Sequence, residues 1–336
     1  MANQATHSLP SRDRSVDETA AAVATTKTPE EPFPIGWPEY RATAVLLAAF
    51  LATFALAALF AAPFKAAGLQ VFEDPENPTN SIGYILLLIL FTLVILYIAK
   101  KGKKWLIQLI ILAAVAGTLY YVVQPVLLVE LGVDAGIANA AGIAVGLLAA
   151  LALYKHPEWY VIDSVGILVA AASAALLGIS LGLVPALILL AGLAIYDFIA
   201  VYKTKHMLSL ADTVIELRLP VLLVIPKRLP YRFRAEASKF KEAKPENRGE
   251  REAMFMGLGD LVMPTILVVS ALQFAEPGWG AVPALGAVVG TLVGFAVLMG
   301  SVLQGRPQAG LPLLNGGAIV GFLTGLYAAT GSLRFW

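Results

Sequence analysis

The feature that most constrains this chain is a repeated run length. Along its 336 residues, stretches of about 20 mostly apolar residues recur nine times: 43–63, 82–99, 105–127, 136–154, 159–178, 183–202, 254–275, 281–303 and 308–330. A helix of about 20 apolar residues reaches across the hydrocarbon core of a bilayer. Helices also satisfy every backbone polar group there without water. Soluble domains carry roughly 25% charged residues, whereas this chain has 14%, with 58% hydrophobic. The expectation is an all-α polytopic membrane protein of nine transmembrane helices, with the lipid bilayer as its solvent. Turn signals fall between the runs, among them Pro75-Glu76-Asn77-Pro78, His156-Pro157 and Glu276-Pro277-Gly278.

The organisation follows from these runs. Residues 1–40 are polar, with Pro10, Pro29, Pro32 and Pro34, and read as a disordered cytoplasmic tail with no cleavable signal. Residues 41–202 hold the first six spans, 203–253 form a hydrophilic cytoplasmic loop, and 254–336 hold the last three. Lysine and arginine mark the cytoplasmic side of membrane proteins. With the N-terminus inside and nine spans following, 22 of the 24 basic residues lie on the inner side and only Lys65 and Arg334 outside. The N-terminus is therefore expected in the cytoplasm and the C-terminus outside. The chain has 0 Cys and 3 His, which removes disulfides and thiol nucleophiles and argues against a metal site. Its net charge of +1 gives no field for nucleic acid. No metal or cofactor is expected.

The only charged residues within the spans are Asp163, Asp197 and Asp260, with no lysine or arginine among them to neutralise an acid. An acid at membrane depth is costly, rare and usually functional. Asp163 lies about four residues inside its span, roughly 6 Å at helical rise, and fits a structural role in an interhelical hydrogen bond. Asp197 and Asp260 match in depth. Each sits roughly 8–9 Å below the inner surface on consecutive antiparallel spans, which tend to be neighbours in space. Two carboxylates in contact cannot both ionise, so the pair shares one proton. The ionised member can activate a water while the protonated one polarises a carbonyl. The same acids could also form a proton or cation path in a channel or secondary transporter, and depth alone does not separate the two. A third reading is a catalytically inert scaffold.

Local sequence adds to the pair. Asp260 closes Gly257-Leu258-Gly259-Asp260, where the glycines remove bulk and let another backbone approach. Tyr196 precedes Asp197, as a hydrogen-bond partner for the acid or as an interfacial anchor. The ninth span opens Gly310-Leu311-Pro312-Leu313-Leu314-Asn315. Pro312 disfavours helical geometry at Leu311, so the helix should start or break there and leave backbone groups free for an extended substrate segment.

Taken together, Tyr196-Asp197, Gly257-Leu258-Gly259-Asp260 and the proline motif of the ninth span resemble the GxGD intramembrane aspartyl proteases of the presenilin type, closest to the archaeal homologues. The resemblance covers roughly residues 40–335. It implies a presenilin-like fold, an aspartic endopeptidase activity and Asp197 and Asp260 as the catalytic dyad. It also implies protein substrates that are themselves transmembrane segments, and fits a homo-oligomer and the cell membrane of a prokaryote. Pro312, Leu313 and Leu314 take the place of the family's Pro-Ala-Leu motif, which supports the site and helps hold substrate. Leu313 stands where the family has alanine, and Asn315 where presenilins have a second proline.

Three further features are legible. Leu217 to Ile225 is apolar and reads as an edge strand or gate for substrate, or as an interfacial segment under the headgroups, the interfacial reading being preferred. Gly286, Gly290 and Gly294 share one helix face and suggest close packing. Trp37, Trp105, Trp159 and Trp279 fall near expected interfaces, as in an aromatic belt.

Overall fold

Among the described residues, nine α-helices occupy the nine apolar runs. In a computed structural model they are α1 (Trp37–Ala66), α2 (Thr79–Lys100), α3 (Lys104–Pro125), α4 (Ala135–Lys155), α5 (Trp159–Ser180), α6 (Leu183–Ile199), α7 (Leu258–Gln273), α8 (Val282–Leu303) and α9 (Gly310–Thr330). The structure describes residues 37–204, 221–227, 253–274, 276, 279, 281–304 and 308–334. Most of the expected tail, residues 205–220 and 228–252 of the basic loop, and Arg306 lie outside the described residues. The expected tail boundary at residue 40 moves, because Trp37–Tyr40 already form the first turn of α1.

Eight of these helices are long and apolar enough to cross a membrane. The exception is α7. With 16 residues it is about 24 Å long, short of a ~30 Å hydrocarbon core. Here the expectation of a helix beginning near residue 254 is corrected. Residues Ala253–Gly257 form a strand, β2, paired antiparallel with β1 (Leu222–Pro226). The register runs from Leu222 opposite Gly257 to Pro226 opposite Ala253. Gly257 and Gly259 are poor helix formers, and the β1 backbone satisfies β2 instead. Over Leu222–Ile225 the interfacial reading is also overturned, since these residues form a strand with Leu223, Val224 and Ile225 buried. Leu217–Pro220 fall outside the described residues.

The packing hub is α5. Its alanines Ala170, Ala171, Ala172, Ala174 and Ala175 are buried, and it meets α1, α3, α7 and β1. Small side chains let helices approach closely where lipid supplies no hydrophobic force between them. At the other extreme is α2. Its sole buried residue is Ser81, whose hydroxyl donates to the Pro185 carbonyl of α6.

The glycine stripe behaves as read. Between α8 and α9, a Cβ on Gly286, Gly290 or Gly294 would run into the carbonyls of Gly321, Gly317 and Leu313. Gly317 and Gly321 meet the backbone of α8 in the same way. The tryptophans divide. Trp105 is 65% exposed at the start of α3, as a belt residue should be, while Trp279 is only 7% exposed and belongs to the core.

Candidate active site

The first acid is carried by the last turn of α6. Asp197 is 4% exposed, while its neighbours Tyr196 and Phe198 are 47% and 56% exposed. Successive helical residues point about 100° apart, so rotating the carboxylate inward turns both rings outward. Tyr196 thus fits the anchor reading rather than that of a hydrogen-bond partner. Immediately afterwards the helix widens into a π-helical segment, Ala200–Thr204, a feature found mostly at functional positions.

The second acid opens α7. Gly257 caps the helix in an extended conformation (φ −65°, ψ 137°) and Asp260 stands in its first turn, half-buried. Its carboxyl reaches Gly310 of α9, next to the residue whose amide binds Asp197, so the two expected partners do converge. Four residues on, Pro264 lies inside the helix. Having no N–H, it removes the α-helical donor that the Asp260 carbonyl would otherwise receive.

The first turn of α9 joins both acids. Its helix begins at Gly310, capped by Ala309 (φ −70°, ψ 125°), and continues unbroken through Pro312. The first N–H groups of a helix have no partner within it. One of them, that of Leu311, donates to Asp197 Oδ2 at 3.2 Å. The backbone expected to remain free for substrate is therefore engaged, at this position, by the acid itself. Beside it, a Cβ on Gly310 would stand 3.1–3.3 Å from the carboxyl atoms of Asp260, so a larger residue would make the acid give way by a few tenths of an ångström.

The remaining motif residues support this arrangement. Leu313 is half-buried, with its carbonyl against Gly294, and Leu314 is fully buried. Asn315, at the family's second proline, is also fully buried and donates from Nδ2 to the Leu190 carbonyl at 3.0 Å. That bond ties α9 to α6 two turns before Asp197. Leu258 packs toward Gly166 of α5. The expected close approach at the Gly257–Gly259 pair differs in detail. Around Gly259 a Cβ would meet nothing within 4 Å, and at Gly257 only ordinary contact with Asp260; the tight backbone approach to this acid comes from Gly310.

Sequence reasoning passed over Gly310 and the Leu311 amide and noted Asn315 only as a departure. A glycine two residues before the motif proline was the available signal. Asp163 stays apart from the pair. Its Oδ1 accepts from the Val224 N–H of β1 at 2.8 Å, so its bond reaches a strand rather than the neighbouring helix expected.

Two carboxyl groups gathered at adjacent residues of one helix start, one of them bonded by an N-terminal amide, form a constellation suited to shared-proton acid–base chemistry. Comparison with known proteins points the same way. Residues 47–331 match the family model described as signal-peptide peptidase, presenilin aspartyl protease. The chain is similar to a presenilin family intramembrane aspartate protease solved in a C222 space group, at 36% identity and a TM-score of 0.64, over 85% of this chain and 99% of the other. It is likewise similar to a structure so described in a P2 space group, at 37% identity and a TM-score of 0.62, over 85% and 97%. No curated protein sequence matches it significantly.

Proposed function

From the premise that this chain belongs to the signal-peptide peptidase and presenilin family of aspartyl proteases, and is thus an intramembrane aspartic endopeptidase, we propose that Asp197 and Asp260 cleave transmembrane segments of other membrane proteins by activating a water between them. The ionised carboxylate takes a proton from the water as its oxygen attacks the scissile carbonyl carbon. The protonated carboxyl donates to the carbonyl oxygen, giving a tetrahedral diol. Collapse of the diol breaks the C–N bond as the now protonated carboxyl gives its proton to the amine nitrogen and the other carboxylate takes one from a diol hydroxyl, which restores the one-proton pair.

The observation that carries this reading is the meeting of both acids at the first turn of α9. The Leu311 amide fixes Asp197 and the bare Cα of Gly310 admits Asp260. A peptide bond inside a helix is shielded, so the substrate must be extended before attack. The β1–β2 hairpin leads directly into the Asp260 turn and is suited to hold an unwound segment. Gly259, open on its side-chain face, leaves room for such a segment beside the acid. Pro312, Leu313 and Leu314 support the site from α9.

The basic-residue distribution supports an N-terminus in the cytoplasm and a C-terminus outside, and the resemblance to archaeal homologues supports residence in a prokaryotic cell membrane. Both acids would then lie near the inner leaflet. Family membership favours proteolysis over the channel or transporter alternative.

The test is cleavage of a single-span peptide by the purified protein in detergent, beside Asp197→Asn, Asp260→Asn and a transition-state-analogue inhibitor. Fragments from the wild type alone, suppressed by the inhibitor, are expected. Undiminished cleavage by either variant would remove the acids from the mechanism.

A further inference from the structure

Asp163 is a buried carboxyl, 7% exposed, that the proteolytic reading does not use. An acid at membrane depth costs several kcal/mol, which is a costly way merely to fill space. Among the described residues its one hydrogen-bond partner is the Val224 N–H, and Oδ2 has none. The alternation of the antiparallel ladder explains why that N–H is available. Because Leu258 N–H donates to the Val221 carbonyl at 3.1 Å, hydrogen-bonded pairs recur at every second position along β1. The Val224–Phe255 pair falls between them, so the Val224 N–H faces away from β2. Asp163 takes that outward donor and closes the outer edge of β1 to any other strand at this register.

The bond also stands at the head of a short chain of contacts. From Asp163 it passes to Val224, across the β1–β2 register, and through the Leu258–Val221 bond to the first residue of α7. Leu258 in turn rests against Gly166, one helical turn beyond Asp163 on α5; a Cβ there would stand 3.1 Å from it. Two residues after Leu258 comes Asp260. We propose that Asp163 is a positioning residue of the proteolytic site. It anchors the β1–β2 hairpin to α5 and so holds both the Asp260 turn and the extended surface along which substrate lies. This inference rests on the protease reading above.

The experiment compares Asp163→Leu, which deletes the acceptor, with Asp163→Asn, which retains it. Both are assayed on a single-span peptide, per active site counted by binding of a transition-state analogue, and products are sized by mass spectrometry. Asp163→Leu should lower kcat roughly tenfold, in line with the sensitivity of catalysis to sub-ångström displacement, and spread the cut over neighbouring bonds. Asp163→Asn should restore a single cut position and bring kcat to within about threefold of wild type, since the acceptor is kept.

A folded Asp163→Leu enzyme with wild-type kcat and cut pattern would overturn the proposal. So would an Asp163→Asn enzyme as impaired as the leucine variant. Amide exchange at residues 222–225 gives a readout independent of activity and remains available should the leucine variant fold poorly. A protected Val224 amide in the wild type and in Asp163→Asn is expected, and a Val224 amide exchanging as freely as an open loop would dismiss the anchor. Because wild-type cleavage and its loss in Asp260→Asn are measured in parallel, failure of the anchor is distinguishable from failure of the protease reading.

Discussion

The α8–α9 pair and the α6–α7–α9 junction both bring backbones close inside the membrane, by opposite means. Between α8 and α9 the side chains are removed: glycine meets glycine along the shared face, and no polar side chain is needed at those crossings. Around the two acids, close approach is made by hydrogen bonds, from the Leu311 amide to Asp197 and from Asn315 to the Leu190 carbonyl. Gly310 belongs to both regions. It is as bare as the stripe glycines, but what it admits is a carboxyl group rather than a carbonyl of a facing helix. Dry contact between small residues gives a rigid frame, whereas the polar junction is where chemistry can be placed.

The largest effect should come from breaking the polar side at its centre. Asp197→Asn and Asp260→Asn should each lower kcat by about 10²–10⁴-fold. The double variant should fall little further, because groups that act as a unit are not additive. Single-turnover cleavage measures this, and losses that multiply would mean that the acids work separately.

On the dry side, Gly290→Val sets a branched side chain against the Gly317 backbone. Overpacking of this kind costs about 1–3 kcal/mol or more, read as a fall in Tm in detergent. Gly300, on the same helix with open space around it, is the control. Gly300→Ala should gain up to about 1 kcal/mol from helix propensity.

Gly310→Ala tests the residue common to both regions. Its methyl would press on Asp260 at 3.1–3.3 Å, so a shift of a few tenths of an ångström should lower kcat roughly tenfold with Tm nearly unchanged. A fall in Tm without a fall in kcat would place Gly310 with the stripe instead.

The smallest effect lies in the loop between α1 and α2, away from both regions. Burial, and then the neighbouring Asp74 charge, raise the Glu76 carboxyl above its ordinary value. An acid raised by folding contributes stability only while protonated; that contribution is present at low pH and lost as pH rises through the folded value. At neutral pH its charge is a slight cost, so Glu76→Gln should raise stability at pH 7 by at most a few tenths of a kcal/mol, given its exposure to solvent. The gain should vanish in acid, where both side chains are neutral; a gain that persists there would exclude charge as its cause.

The spans were legible because run length in a bilayer is dictated by thickness, and the acid pair because, Asp163 apart, nothing else charged lies inside them. The stripe at Gly286, Gly290 and Gly294 was legible because helical periodicity places fourth-residue neighbours on one face. What escaped depended on partners far away in sequence. Residues 253–257 carry apolar character that suits a helix or a strand equally, and only β1, about 30 residues earlier, decides for the strand. Asp163 looked like a helix-to-helix bond because the outward N–H of Val224 exists only once the hairpin register is set. Gly310 and Asn315 drew little notice because their meaning comes from Asp260 and Leu190, each brought close only by the completed fold.

The junction at the start of α9 has a consequence for the order of events during synthesis. A ribosome delivers Asp197 and Asp260 to the bilayer well before it reaches Gly310, so the unfinished polypeptide carries both acids without the amide that fixes one of them or the gap that seats the other. Arming of the proposed site thus falls to α9. A nascent chain is expected to remain harmless to the insertion machinery and newly inserted proteins around it until its own assembly is complete.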